Sequence, residues 1–267
     1  MDFLISDEQK QLQDLIHQFI QKDYSFDVRE KLVKTEEGFS KDFWKTFSQF
    51  GLLAMPFSEE DGGFNGGPVD IMIILEAFGT GLIVEPYIPN IVLSGNLVSK
   101  LGSKNQKDAI LPNLLNGDMQ LAFAFSEPQS RFDLNDVTTS AEKDGDGYKL
   151  NGYKCVVMNG PAADKLIVSA RTAGSQLDEN GISLFIVDRE TKGVSLRDYS
   201  NVDGSKASEL TLEDVVLTND ALLGKQDKAF STIEEVVNLA TLAISAEAIG
   251  IMQKMNELTL EYTKTRE

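Results

Sequence analysis

The sequence predicts an α+β multidomain chain. A helical bundle should occupy residues 1–118 and an antiparallel β-barrel or sandwich residues 119–226. Residues 227–267 should form the first long helix of a C-terminal helical domain that is incomplete in this chain. Three observations predict this. Up to residue 118, apolar side chains recur at three- and four-residue steps, the period of a helix with one buried face. From Met119 the chain breaks into short β-rich runs separated by turn residues. From residue 230 one long helical stripe takes over.

In "DEQKQLQDLIHQFIQKDY", Leu12, Leu15, Ile16, Phe19 and Ile20 share a face, and Ser6 with Gln9 reads as a capping box. "SKDFWKTFSQFG" reads as a second helix from a Ser40 cap to Gly51. "SEEDGGFNGGP", with four glycines, reads as a flexible connector. Pro68 then opens the apolar helix "VDIMIILEAFG". "LIVEPYIPNIVLSGNLVSKLG" and "SKNQKDAILPNLLNGD" supply further helices, ending at Gly102 and near Gly117. Seven strand-like runs follow: "MQLAFAFS", "DVTTSAEK", "GYKLNGYKCVVMN", "DKLIVSART", "GISLFIVD", "VSLRDY" and "SELTLEDVVL". Among these, "EKDGDGYKLNGYK" reads as a hairpin. The last helix carries Ile233, Val236, Val237, Ala240, Ala243, Ile244, Ala248, Ile251, Met255, Leu258 and Tyr262 in one stripe, which should be buried against partner helices.

The bulk chemistry narrows the function. A net charge of −17 argues against nucleic acid and against anionic membranes, because both need clustered Lys and Arg. The single histidine, His17, and single cysteine, Cys155, cannot build a typical zinc site or a Cys–His pair, so no metal is expected. Cys155 reads as a buried small hydrophobe, which fits a reducing compartment. The N-terminus does not read as a signal peptide, and no run of eighteen apolar residues suggests a membrane span. A cytoplasmic location is the expectation.

The stretch "FSEPQSRFD", residues 125–133, sits where a strand turns into a polar loop, as a ligand-cradling loop would. It lacks the expected glycines and carries Arg131 and Phe132 instead. Together with "GLLAMPFSEEDGGFNGG", "GYKLNGYK" followed by Asn159 and Gly160, "ADKLIVSART", "ELTLEDVVL" then "LLGK", and "EAIGIMQKMNELTLEYTKTR", its "AFAFSEP" resembles the acyl-CoA dehydrogenase family over essentially the whole chain. The wording of "EPYIPN", "SAEAIG" and "YTKTR" is most similar to the pimeloyl-CoA dehydrogenase small-subunit branch.

The resemblance implies FAD as cofactor, an acyl-CoA substrate oxidised at Cα–Cβ to the trans-2-enoyl-CoA, and a homo- or hetero-oligomer with an acyl-CoA dehydrogenase subunit. It also makes electron-transfer flavoprotein a possible partner. It implies flavin contacts at Phe123, Ala124, Phe125 and Ser126, and at Val156, Val157 and Met158 on the ring's other side. Arg131 and Phe132 would lie near the FAD pyrophosphate, and Arg266 would reach the FAD of a neighbouring subunit. Phe132, Asn238 and Thr241 would lie on the substrate side.

The departures from the family pattern are specific. Phe132 replaces a serine and cannot donate a hydrogen bond, a loss that the Arg131 guanidinium would offset. Val156 stands for the usual Trp, Met158 for a Thr, Thr241 for an Arg, and Ala240 occupies a spot where some relatives carry the base. No acidic residue falls on a recognised base position, and Glu247 reads as a solvated or inter-helix charge. Three readings follow: a flavin-dependent acyl-CoA dehydrogenase present in part, a non-catalytic small subunit with a degenerate flavin site, or a bare structural fragment with neither FAD nor partner.

Overall fold

A computed structural model describes residues 5–266. Helix α1 (Asp7–Asp23) begins at Ser6, whose hydroxyl accepts from Gln9 N while the Gln9 side chain accepts from Ser6 N. This reciprocal cap satisfies two of the four free N–H groups at the helix start. Helix α2 (Phe26–Leu32) follows a Ser25 cap, and α3 (Lys41–Gln49) starts at Ser40 as expected. Helix α4 (Pro68–Gly81) opens on proline and ends at Leu82 in a left-handed conformation. Residues Ile88–Gly95 form a π-helix that continues into α5 (Asn96–Leu101), and α6 (Lys104–Leu115) closes the helical region. Phe19, Trp44, Phe47, Phe78 and Tyr87 pack edge-on, tilted or stacked to form its core.

The glycine cluster after α3 corrects the sequence expectation. It is a set of tight turns rather than a loose connector: Gly63 N donates to Ser58 O, Asn65 N to Phe57 O and Gly66 N to Met55 O. A Cβ at Gly63 would stand 2.3 Å from the Phe57 carbonyl oxygen, so glycine is there for close approach.

Eight strands form one sheet: β1 (Leu121–Ala124), β2 (Ser140–Asp144), β3 (Gly147–Met158), β4 (Lys165–Arg171), β5 (Ile182–Asp188), β6 (Val194–Ser200), β7 (Lys206–Thr218) and β8 (Leu222–Leu223). Their order is β6-β7-β3-β2-β4-β5-β8, with β1 alongside β4. The expected hairpin is β2–β3, turning between Asp144 and Gly147. Most pairs are antiparallel, but β1 runs parallel to β4 and β2 meets β4 in parallel at Ser140. These parallel contacts bring together segments distant in sequence, which strand patterning does not encode.

Buried polar side chains join the helices to the sheet. Asn90 in the π-helix accepts from Leu121 N at 2.8 Å and donates to Gln120 Oε1 at 2.8 Å. Asn159 at the end of β3 donates to Gln120 Oε1 and to Leu121 O. Each of these groups would be costly to bury alone, so together they fix where β1 meets the helical region.

Helix α7 (Phe230–Thr265) has 36 residues, a length of about 54 Å at 1.5 Å per residue. It crosses α4 with no side chain between the two backbones. A Cβ at Gly79 would stand 2.1 Å from Glu247 O, and one at Gly250 would stand 1.9 Å from Glu76 O. The buried face of α7 is Ile233, Val236, Ala243, Ala246 and Gly250. Met255, Leu258 and Tyr262, expected to be covered, are exposed because no described residue covers that face of α7 beyond Ile251; Ile244, in the first half of the helix, is exposed as well. By length and composition alone α7 is long and apolar enough to span a bilayer, as the core helix of a soluble protein can also be. Within the fold its small residues lie against α4.

The crossing reverses a common sign. In an open helix, Gly→Ala stabilises by about 1 kcal/mol. Here Gly250→Ala is expected to destabilise by about 1–3 kcal/mol through overpacking, measured by urea denaturation; a gain in stability would show that the helices are not in contact at this point.

Candidate active site

The site is built where β1 and β3 come side by side. Lys154 on β3 and Glu127, just after β1, form an ion pair at 2.7 Å with both side chains fully buried. Lys154 Nζ also donates to Ser169 Oγ at 3.0 Å and lies 3.5 Å from Phe125 O. Glu127 accepts from Lys154, from the Thr138 and Thr139 N–H groups, and from the Thr138 hydroxyl. Burial pushes the Glu127 carboxyl up, but the Lys154 ammonium and these donors outweigh it and hold the carboxyl well below its usual range. Burial pulls the Lys154 ammonium down while Glu127 pulls it back up. The pair therefore fastens the loop after β1 to the body of β3. Cys155 N donates to Ser126 O at 2.9 Å and extends that join.

The result is a shelf. Phe125, Ser126 and Met158 are half-buried along it, and Val156 is exposed. Between Lys154 and Val157 the β3–β7 register slips, and Val156 takes φ +51° within that bulge. A β-branched residue seldom adopts positive φ, and such strain concentrates at functional sites. Phe123 stacks on Phe125 with ring centroids 4.8 Å apart.

A cavity of about 400 Å³ opens against this shelf. Phe125 and Met158 border it on the sheet side, Leu75, Phe78 and Tyr87 on the helical side, and Ala240, Thr241 and Ile244 on α7. Its lining is mostly apolar, as small-molecule sites generally are. Carboxylates border it as well, and burial shifts two of them. Glu85 is buried, and burial pushes its carboxyl up to about 7 despite donors around it. Glu247 is likewise pushed up to about 7, by burial and then by the nearby Asp203 charge.

The residues expected to touch cofactor or substrate fall into three groups. Phe125, Met158 and Thr241 border the cavity, while Ser126 and Val156 lie on the adjoining shelf. Phe123, Ala124 and Val157 are buried among core side chains: Phe123 lies on the same face of β1 as Phe125 and stacks on it, while Ala124 and Val157 pack into a second core cluster. Asn238 lines a separate recess with Pro56, Asn96 and Lys100, on another face of α7. Arg131 (φ +50°) and Phe132 (98% exposed) form a solvent-facing loop tip that does not border the cavity. Arg266 is exposed just past the end of α7.

Cys155 is half-buried rather than fully buried. Glu247, expected as a solvated or inter-helix charge, borders the cavity beside the α4 crossing. Steps of three residues from Ile244 and seven from Ala240 along the helix place it on that face.

The comparisons with known proteins agree with this architecture. Residues 6–118 match the model of the acyl-CoA dehydrogenase N-terminal domain, and residues 122–215 match that of the acyl-CoA dehydrogenase middle domain. An acryloyl-CoA reductase (NADH) from Anaerotignum propionicum is 31% identical over 272 residues, covering 100% of this chain and 68% of the relative. The chain belongs to the acyl-CoA dehydrogenase family. Butyryl-CoA dehydrogenase from Megasphaera elsdenii superposes with a TM-score of 0.89 at 27% identity, over 100% of this chain and 71% of that one. The ChsE4-ChsE5 complex from Mycobacterium tuberculosis matches with a TM-score of 0.86 at 25% identity, over 100% of this chain and 69% of that one. Against other curated relatives the chain spans 65% and 64% of their length, less than two thirds.

Two outcomes follow from these groups. Lys154→Met would leave Glu127 buried without its partner and is expected to cost about 3–5 kcal/mol in chemical denaturation, with much of it recovered in the Lys154→Met/Glu127→Gln double variant. Glu85 holds its proton more tightly folded than unfolded, so stability falls as pH rises from the ordinary carboxylate range through about 7. Glu85→Gln should therefore raise the melting temperature more at about pH 8 than at about pH 5. An equal shift at both pH values would show that Glu85 is not protonated in the fold.

Proposed function

We propose that this chain is the cofactor-shelf and acyl-pocket portion of an FAD-dependent acyl-CoA dehydrogenase. The cofactor of this family is FAD. The shelf fits the ring end of that group: it is mostly apolar, carries one hydroxyl at Ser126, and stays open to solvent at Val156. The observation that carries the reading is that one cavity borders both the shelf and α7.

Bound on the shelf, FAD would supply the two-electron oxidation that turns a Cα–Cβ single bond into a trans-2 double bond. Phe125 and Met158 would set the height of the ring, and Ser126 would place a hydroxyl at its edge. The apolar walls would align the acyl chain and keep water from the reacting carbons. Removal of the Cα proton needs a carboxylate held against that carbon. We place this base outside these residues, on the same polypeptide or on a sister subunit, which makes a homo- or hetero-oligomer the working form. Electron-transfer flavoprotein is the acceptor this reading expects.

A non-catalytic small subunit is the second reading. The replacement of the expected Trp and Thr by Val156 and Met158 at the shelf favours it.

The test is an absorbance spectrum after adding FAD and removing the excess. The expected result is retained flavin that an acyl-CoA does not bleach under anaerobic conditions until the subunit or segment carrying the base is added. Bleaching by the chain alone would put the base within it, with Glu247 the first to substitute. Failure to retain flavin would favour the degenerate small subunit.

A further inference from the structure

One carboxylate at the acyl cavity is left without a partner by the fold. Glu247 lies where α7 crosses α4 and borders the cavity from that side. It is half-buried, and its carboxyl oxygens are not sealed in. Among the described residues no donor and no cation pairs with it. The other charged groups at the cavity are engaged. Glu37 pairs with Lys41 at 2.9 Å, and Glu85 accepts from Ser40 N and from the Tyr24 hydroxyl. Asp203 Oδ1 accepts from Ser205 N and from the Ser205 hydroxyl. Arg29 donates to Leu82 O at 3.0 Å and to Asp203 O at 2.7 Å, and Lys206 donates to the Ser200 hydroxyl. A carboxylate at a mostly apolar cavity is costly to hold unpaired, so Glu247 is where a ligand cation gains most.

We infer that Glu247 selects acyl-CoA substrates whose acyl chain ends in a primary ammonium group, which pairs with its carboxylate. This rests on the acyl-CoA reading above and narrows its substrate class.

The position of Glu247 suits the far end of an acyl chain. The reacting carbons belong at the sheet-side shelf of Phe125 and Met158, which pack on the same core cluster as Ala240. Glu247 follows Ala240 by seven residues, so it stands about 10 Å further along α7 at 1.5 Å per residue. Asp203 strengthens the field there. The turn between β6 and β7 carries it to the helical wall, where Arg29 holds its carbonyl, and its charge is felt at Glu247. The two carboxylates come from opposite walls, α7 and the sheet, and the Arg29 guanidinium between helix and turn is spent on backbone carbonyls.

These charges decide among acyl ends. A plain alkyl end would cover Glu247 and leave it unpaired. An end carrying a carboxylate would add a like charge. A hydroxyl would bring one donor and no charge. A primary ammonium brings three donors and the compensating charge, and it draws the Glu247 carboxyl back to its ionised form.

The test is isothermal titration calorimetry of the full chain, with FAD present, at neutral pH and constant salt. The ligands are ω-aminoacyl-CoAs and the plain acyl-CoAs in which a methyl replaces the ammonium, over a range of chain lengths. At one or more lengths the amino ester is expected to bind at least tenfold more tightly. In Glu247→Gln that preference should vanish, while Glu247→Asp, which keeps the charge on a shorter arm, should retain part of it; thermal melts establish that both variants fold. Equal binding of each pair at every length overturns the inference and leaves the acyl-CoA reading standing. So does a preference that survives in folded Glu247→Gln, which would trace the attraction to the general acidity of the chain. If no acyl-CoA of either kind binds, both the inference and the reading beneath it fall.

Discussion

The architecture of the site depends on one buried ion pair. Neither Lys154 nor Glu127 could be taken out of water alone, because the desolvation of a single charge exceeds anything packing would return. Paired, and with the Thr138 and Thr139 amides and the Ser169 hydroxyl saturating their remaining bonds, they make a rigid joint. That joint holds the loop after β1 against β3 where the ladder between β3 and β7 slips. The shelf is the surface this joint leaves open. Its geometry therefore follows from an electrostatic requirement two residues away from Phe125, and not from the shelf residues themselves.

The same logic, with neutral groups, joins the two structural halves. Asn90, Gln120 and Asn159 satisfy one another and the Leu121 backbone in a dry environment. Asn90 lies in the π-helix, whose wider turn departs from the α-helical spacing that its neighbours keep. Ile88, Pro89 and Leu93 from this segment line the cavity, so the irregular turn and the interdomain network belong to one device. The first wall of the pocket is thereby fixed to the sheet that carries the shelf.

Much of this was legible in the sequence. Strand runs such as "DKLIVSART" and "GISLFIVD" have β-branched content and turn boundaries that local physics reads directly, and they became β4 and β5. The Ser6, Ser40 and Pro68 helix starts were equally plain. The errors have physical causes. The glycines at 62–67 looked permissive, yet Gly63 is there because a carbonyl passes where a Cβ would be. Phe123 and Val157 are named by motif position, which does not encode how much of each side chain the packing over the strands covers. Asn238 lines another recess because a few residues along a helix rotate a side chain onto another face. The burial of the Glu85 carboxyl was not legible at all, since it depends on where Ser40 and Tyr24 end up in three dimensions.

The crossing of α4 and α7 carries a consequence for how this pocket could change. Where Gly79 and Gly250 meet the opposite backbone, the separation of the two helices is set by peptide groups alone, whose thickness no mutation alters. The roof of the cavity is thus held at a fixed height by a gauge without side chains. Adaptation to wider or narrower acyl groups has to proceed through the flanking positions, such as Leu75, Ala240 and Ile244, each able to change volume without moving a helix. The crossing is the part of the pocket least free to evolve, and it leaves the rest free to do so.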